Sequence, residues 1–166
     1  MSLFHELNGG SVIARAAEAE TIGGVPVWVQ LLLDSSATNG ALSTLRVDLK
    51  SGANGANPHH HAGSTELFYV IDGTVQLLSG DEVALAHAGD LVTVPPGACH
   101  AFAAPPGADA RLLIVITPGV ERFEYFRHLA RIARGEQPPE SILAVQEQYD
   151  TWFEQSAVWT AARATP

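Results

Sequence analysis

Short apolar segments separated by tight-turn residues dominate the sequence from roughly residue 11 to residue 118. In Thr44–Lys50, two leucines and a valine occupy every second position, with polar or charged residues between them. This period of two is typical of a strand with one buried and one solvated face. Further strands are predicted at Val25–Leu33, Glu66–Ile71, Thr74–Leu78, Val83–Ala86, Leu91–Val94 and Arg111–Thr117. Strands at this spacing, with turns rich in Gly, Pro, Asn and Asp, predict a sandwich or a barrel.

The dipeptide Asp72-Gly73 lies between two of these apolar runs, Glu66–Ile71 and Thr74–Leu78. Glycine takes positive φ without steric cost, so an Asp-Gly pair between two runs is a strong hairpin signal. The sequence therefore predicts two separate strands joined by a tight turn.

After Pro118 the periodicity becomes helical. Glu121–Arg134 is predicted as an amphipathic helix that ends at Gly135. Its apolar positions are Phe123, Phe126, Leu129, Ala130 and Ala133. A second helix is predicted over Glu140–Phe153, with an inner face of Ile142, Val145, Tyr149 and Trp152. We therefore predict a barrel with N-terminal strands over residues 1–118, and a C-terminal helical extension over residues 119–166 that packs on the barrel or on a second subunit.

Charge and composition narrow the class of partner. Lys and Arg number 9 and Asp and Glu 18, a formal net charge of −9, and such a surface repels nucleic-acid phosphates. No window approaches ~18 uninterrupted apolar residues, so no membrane span is expected. The first ten residues have neither a basic start nor an apolar run, which predicts no signal peptide. The only cysteine, Cys99, excludes an intrachain disulfide. The expectation is a cytoplasmic protein.

Three consecutive histidines, His59, His60 and His61, are followed by Glu66. Alternate residues of a strand point to the same side, so His59 and His61 face one way and His60 the other. Two imidazoles on one face can converge on one metal, and His100 follows a Pro-Pro-Gly turn further along the chain. Imidazoles and a carboxylate inside an apolar barrel would form a dry cage for a divalent ion.

Four apolar residues near these side chains are candidates for a substrate pocket. Alternation places two of them on the side of Glu66 and one on the side of His100. They are Phe68, Val70, Val94 and Phe102. Each is a core residue by default, and pocket lining is the additional claim.

The spacing of these residues resembles the two motifs of the cupin family. The first motif is His-x-His, four residues, Glu, six residues and Gly, and here it falls on His59, His61, Glu66 and Gly73. The second is Gly, five residues, Pro-x-Gly, two residues and His, and here it falls on Gly89, Pro95, Gly97 and His100. Ala53 stands where a glycine usually opens the first motif, and Ala104 where an asparagine often closes the second.

The resemblance implies an all-β cupin double-stranded β-helix, a jelly-roll barrel, with a short C-terminal helical segment. It also implies one divalent transition metal ion held by His59, His61, Glu66 and His100. Three imidazoles and a carboxylate do not select among Fe, Mn, Ni, Co, Cu and Zn.

The segments DSSATNGALSTLRVDLKSGANGANPHHH and TPGVERFEYFRHL resemble the single-barrel cupins that are similar to quercetin 2,3-dioxygenase. That resemblance implies a dioxygenase that cleaves a flavonol-like or enediol molecule, with Glu66 as both ligand and general base. It also implies a homodimer paired through N-terminal strands. Two alternatives stay open. One is a metal-dependent isomerase, cyclase or lyase that needs no dioxygen, and the other is a non-catalytic small-molecule binder.

Overall fold

The computed structural model describes residues 4–164. Its strands are β1 (Phe4–Glu6), β2 (Val12–Ala14), β3 (Thr21–Gly24), β4 (Val27–Leu33), β5 (Ser43–Leu49), β6 (Asn54–His60), β7 (Thr65–Ser79), β8 (Glu82–His87), β9 (Leu91–Val94), β10 (His100–Ala103), β11 (Ala110–Thr117) and β12 (Trp152–Phe153). Its helices are α1 (Phe123–Ala133) and α2 (Ala157–Ala164), with 3₁₀ segments at Ser35–Thr38 and Pro139–Val145.

Ten of the strands form one curled antiparallel sheet, and β1 and β2 form a separate pair. The sheet runs in the order β12-β6-β10-β7-β11-β5-β4-β3, and β8 and β9 also pair with β7. Neighbours in space are mostly distant in sequence, as the crossovers of a jelly roll require. The predicted all-β jelly-roll fold with a short C-terminal helical segment is confirmed.

Strand β7 is continuous from Thr65 to Ser79, so the hairpin predicted at Asp72-Gly73 is wrong. Its first half pairs with β9 and β11 and its second half with β8 and β10. Gly73 lies where the pairing partners of β7 change. Its φ is +74°, and a Cβ added to it would lie 2.0 Å from the carbonyl oxygen of Asp109. The glycine therefore lets the strand bend from one set of partners to the other while another backbone approaches closely.

The core follows the alternation that the sequence predicts for β5. Leu45, Val47 and Leu49 are buried, and the residues between them are only half-buried. They pack in one cluster with Phe68 and Val70 of β7, both fully buried. The inner faces of these strands thus form an apolar lining around the barrel interior.

The C-terminal region agrees with the prediction only in part. Helix α1 occupies most of the predicted Glu121–Arg134, although its most buried residue is Tyr125 and Ala133 is exposed. The second predicted helix, over Glu140–Phe153, is wrong. That stretch is a short 3₁₀ segment, a turn with Asp150 in the left-handed region (φ of +47°), and strand β12.

A tertiary anchor explains why the chain leaves the helical path at Asp150. Its carboxylate accepts hydrogen bonds from the backbone N–H of Ala62 (2.7 Å) and Gly63 (2.9 Å). These contacts hold the segment against the end of β6, and β12 then pairs with β6. Helix α2, which the periodicity does not predict, follows. None of the helices within residues 4–164 is long and apolar enough to cross a membrane.

Candidate metal centre

Three neighbouring strands bring the histidine and glutamate side chains of the two motifs to one place. His59 lies in β6 and His61 just after it, Glu66 lies in β7, and His100 opens β10 directly opposite His59. All four residues are buried, with at most 5% of their surface exposed. One ligand atom from each lies within 4.8 Å of the others. The sequence prediction and the structure therefore single out the same four side chains.

Backbone carbonyls fix the orientation of all three imidazoles. Each Nδ1 lies against a carbonyl oxygen, which requires that Nδ1 carries the proton and donates it. The acceptors are Asn57 for His59 (2.7 Å), Ala98 for His100 (3.0 Å) and Asp150 for His61. This outer layer of hydrogen bonds leaves the Nε2 atoms as the ligand atoms of the site, the arrangement that metal-binding histidines commonly have.

The carboxylate of Glu66 completes the cluster. Its Oε2 lies 3.1 Å from Nε2 of His61 and 2.6 Å from Nε2 of His100. In neutral imidazoles protonated at Nδ1, these nitrogens would point lone pairs at a carboxylate, which is repulsive unless a cation intervenes. Three imidazole nitrogens and a carboxylate oxygen are ligand types that divalent transition metals take, and here they lie within 4.8 Å of one another. The residues thus fit a divalent metal ion.

Without a metal, this repulsion is relieved by protons. Burial alone would raise the pKa of Glu66, but hydrogen bonds from His100 and His61 hold it well below its usual range. Burial opposes a charge on His100, yet the hydrogen bond to Glu66 gives it a raised pKa. Burial, reinforced by the nearby His100, lowers the pKa of His59 to about 3, so His59 is a neutral imidazole. Metal binding would therefore release a proton from the cluster.

His60 lies outside this cluster, as strand alternation predicts. It is half-buried, and its Nδ1 lies 2.5 Å from the carboxylate of Glu154, the residue that follows β12. It is therefore a matched control for the neighbouring ligand positions.

A cavity of about 1700 Å³ opens onto the centre between the barrel, α1, the second 3₁₀ segment and α2. His59 and Glu66 line it, and so does Phe102, one of the four predicted pocket residues. The other three lie in the packed core and are not among its lining residues: Phe68, Val70 and Val94. The approach to the centre is therefore from the side of the C-terminal elements.

Two residues of this site escape the sequence analysis, and both come from the C-terminal region. Asp150 supplies the carbonyl that orients His61. Arg122, just before α1, is buried and lines the cavity together with Glu66. Neither lies in a motif. Arg122 falls within the segment TPGVERFEYFRHL that carries the resemblance, and its only other sequence signal is a basic residue at the start of a helix expected to pack on the barrel.

Comparison with known proteins supports the fold independently of this geometry. Residues 45–116 match the family model of the cupin domain. No curated protein matches the chain in sequence.

Solved structures share the fold at low identity. An RmlC-like cupin from Shewanella frigidimarina is 21% identical with a TM-score of 0.57, over 75% of this chain and 99% of that one. A protein from Thermotoga maritima described as a predicted oxalate decarboxylase is 23% identical with a TM-score of 0.57, over 64% and 98%. Pac13 from Streptomyces, described as a nucleoside dehydratase, is 18% identical with a TM-score of 0.52, over 65% and 82%.

At these identities the likeness shows the fold and not the reaction, because proteins of one fold host many chemistries. The family match spans β7 and β10 and every residue of the metal cluster. Residues 45–116 of this chain are therefore similar to the cupin domain, and the chain folds as a jelly roll around a candidate three-histidine, one-glutamate metal centre.

Proposed function

We propose that this protein is a metal-dependent dioxygenase that oxidatively cleaves a flavonol-like or enediol small molecule at the His59, His61, Glu66 and His100 centre. One observation carries the proposal: two of the four ligand residues, His59 and Glu66, face a cavity large enough for a molecule of that size. The proposal extends the resemblance of the flanking segments to quercetinase-like cupins.

A bound divalent ion of the Fe, Mn, Ni, Co, Cu or Zn group would acidify a coordinated hydroxyl and offer a site for dioxygen. The protein supplies the remaining functions. His59, His61 and His100, locked by their backbone partners, hold the centre rigid. The apolar barrel wall excludes water from the activated substrate.

Glu66 is placed to take the hydroxyl proton. Its Oε2 makes both histidine contacts, whereas Oε1 accepts no hydrogen bond from residues 4–164. Because the pKa of Glu66 is low, proton transfer to Oε1 depends on prior acidification of the substrate hydroxyl. Oε1 of Glu66 is therefore the proton acceptor in this proposal.

Oxygen consumption tests the proposal. Protein reconstituted with each of the six metals is mixed with a flavonol and enediol panel, and oxygen uptake is recorded. Uptake is expected with at least one metal and should fall about 100-fold or more in Glu66→Gln, which keeps a ligand oxygen but not the base. His60→Ala is the control and should retain uptake. The absence of oxygen uptake with every metal and every substrate of the panel would refute the proposal.

A non-oxidative isomerase, cyclase or lyase is the second candidate. It is favoured by the likeness to Pac13, a protein described as a nucleoside dehydratase. The same ion could polarise a carbonyl instead of binding dioxygen. Turnover that persists under strict anaerobiosis would select this candidate. Ligand binding with no product would instead indicate a non-catalytic binder.

We also propose that the protein is a homodimer paired through its N-terminal strands. Within residues 4–164, β3 is an edge strand of the large sheet, and the adjoining Val25 is 82% exposed. An unpaired edge beside an exposed apolar side chain favours pairing with a second copy. Light scattering coupled to gel filtration should give twice the chain mass of 17.6 kDa, and a monomer mass would refute the pairing.

A further inference from the structure

Arg122 is a buried cation with neutral partners. Only 4% of its surface is exposed. Its guanidinium donates to the carbonyl oxygen of Tyr149 (3.2 Å) and to the hydroxyl of Thr151 (3.0 Å). Among residues 4–164 it makes no ion pair with a carboxylate. Burial of an uncompensated charge is strongly unfavourable, so a folded protein that keeps one usually has a use for it.

The Nε donor of this guanidinium has no acceptor. The Nε atom of Arg122 is buried and has no hydrogen-bond partner within the same residues. An unsatisfied buried donor costs roughly 1–3 kcal/mol, and more when it belongs to a charged group. Such groups are rare in folded proteins and call for a ligand or a solvent molecule that completes them.

The position of Arg122 shows where this ligand would lie. Arg122 lines the same cavity as His59 and Glu66. Its guanidinium carbon lies 5.1 Å from the ring centroid of Tyr125 and 5.9 Å from that of Phe126, and both of these residues also line the cavity. These ring contacts confine the guanidinium on the side of the cavity formed by α1.

Tyr125 adds a neutral donor beside this cation. The residue is 7% exposed, and burial raises the pKa of its hydroxyl to about 12, so the hydroxyl keeps its proton at neutral pH. That hydroxyl makes no hydrogen bond with any other part of residues 4–164. The unpaired Nε–H of the guanidinium and the phenolic O–H can donate to the two oxygens of a single carboxylate.

We propose that Arg122 is the anion-recognition residue of this cavity, and that the substrate is an enol acid whose carboxylate binds Arg122 and Tyr125 while its enol reaches Glu66. The enol half of this statement rests on the proposed function, and the carboxylate half rests on Arg122 alone. The chain carries a formal net charge of −9, so an acid would be repelled unless a local cation receives it. The carboxylate also compensates the buried charge, which links ligand binding to the stability of the cavity wall.

Calorimetric titration with cinnamate and with cinnamamide tests the carboxylate half. The two probes have the same shape, but only cinnamate is charged. Both metal-free and metal-loaded protein are titrated, so that recognition by the metal is separated from recognition by Arg122. Wild-type protein should bind cinnamate at least about 10-fold more tightly than cinnamamide in both forms.

Variants assign this preference to residues. Arg122→Met should weaken cinnamate binding by about 10-fold or more and leave cinnamamide binding unchanged. Tyr125→Phe should weaken cinnamate binding by a smaller factor, about 3-fold. Arg127→Met is the matched control, because Arg127 lies in α1, the helix that Arg122 precedes, but pairs with Glu20 and Glu124 and does not line the cavity. Its cinnamate affinity should equal that of wild type.

The outcomes separate this inference from the proposed function. Equal affinity for the acid and the amide in wild-type protein, including no measurable binding of either, overturns the inference even if Arg122→Met fails to fold. Equal cinnamate affinity in metal-free Arg122→Met and metal-free wild type also overturns it. If the protein binds the acid selectively but takes up no oxygen with any enol, the anion site is supported and the dioxygenase proposal is refuted. Oxygen uptake on enol acids at subsaturating concentration that is equal in wild type and Arg122→Met leaves the dioxygenase standing and removes the anion site.

Discussion

Gly73 is the single residue on which the course of β7 most depends. Its φ is positive, at +74°, and a Cβ added there would lie 2.0 Å from the carbonyl oxygen of Asp109. Any side chain at this position meets two separate penalties: left-handed backbone strain, and a clash with another segment's backbone that cannot move aside as a side chain can.

Gly73→Ala is therefore expected to lower the free energy of unfolding by about 3 kcal/mol or more, measured by chemical denaturation. Gly107→Ala is the matched control. Gly107 also has a positive φ, of +85°, but a Cβ there would meet nothing within 4 Å. It should cost only the backbone strain, about 1 kcal/mol. Equal losses in the two variants would show that the close approach to Asp109 has no energetic weight.

At the scale of residues, the sequence predicts the members of the metal cluster, but it does not predict the residues around them, Arg122 and Asp150. The spacing of His59, His61 and Glu66 is local, and strand alternation converts it directly into geometry. Arg122 and Asp150 lie tens of residues away, and nothing in their own neighbourhood distinguishes them from surface charges. At Asp72-Gly73 a local signal is present but predicts the wrong structure. A glycine with positive φ occurs in a bent strand as well as in a hairpin turn.

At the scale of elements, the start of α1 is capped by a residue from outside the helix. Arg122, the residue before the helix, provides no side-chain cap. The carboxylate of Asp34 does so instead, with Oδ1 2.7 Å from the N–H of Arg122 and Oδ2 3.2 Å from that of Phe123. This contact anchors the start of α1, and with it Arg122, to the turn that follows β4.

Asp34 makes the stability of this anchor dependent on pH. Burial, together with the adjacent Glu121 carboxyl, raises its pKa from 3.8 to about 6, against the opposing effect of the backbone N–H of Arg122. The folded state therefore binds a proton between these values that the unfolded state does not. The contribution of this bound proton to the free energy of unfolding is fully present below about pH 4 and is lost as the pH rises through about 6.

The expected consequence is measured against Asp34→Asn, which retains an acceptor oxygen but cannot titrate. The wild-type free energy of unfolding, minus that of Asp34→Asn, should rise as the pH falls from 7 to 5, in urea titrations at each pH. Glu121 has a lowered pKa, so its own contribution changes below this window. Parallel curves for the two proteins would contradict the raised pKa of Asp34.

The C-terminal elements show where hydrophobic periodicity fails to predict secondary structure. Helix α1 follows from its period because its contacts are those of an ordinary amphipathic helix. The region from Pro139 to Phe153 carries apolar residues at helical spacing as well, yet Asp150 binds the backbone at Ala62 and Gly63 and the chain becomes a strand beside β6. A long-range contact of this kind overrides local propensity.

At the scale of the whole molecule, the candidate metal centre joins parts of the chain that are far apart in sequence. Its candidate ligands come from β6 and the residue after it, β7 and β10, and the carbonyl of Asp150 ties the C-terminal region to His61. The cavity lies between the same two regions. Closure of the cavity and assembly of the centre are therefore linked to the same global fold.

This linkage predicts that metal removal destabilises the entire protein and not only the loop between β6 and β7. A metal that binds the folded but not the unfolded chain adds about 2.7 kcal/mol at a free concentration of 100 times its Kd. Because the ligands span three strands, this gain should appear as a single cooperative shift of the unfolding transition. Chelator-treated protein should melt several degrees lower than protein reloaded with the bound metal.

Calorimetry on three proteins makes the test specific. Wild type and His60→Ala should both regain the higher melting temperature on reloading, because His60 contacts Glu154 and not the centre. His100→Ala should not regain it, because its substitution removes the ligand nearest to Glu66. A shift in all three proteins would mean that the metal binds elsewhere, and a shift in none would mean that the four side chains are a hydrogen-bonded cluster without a resident ion.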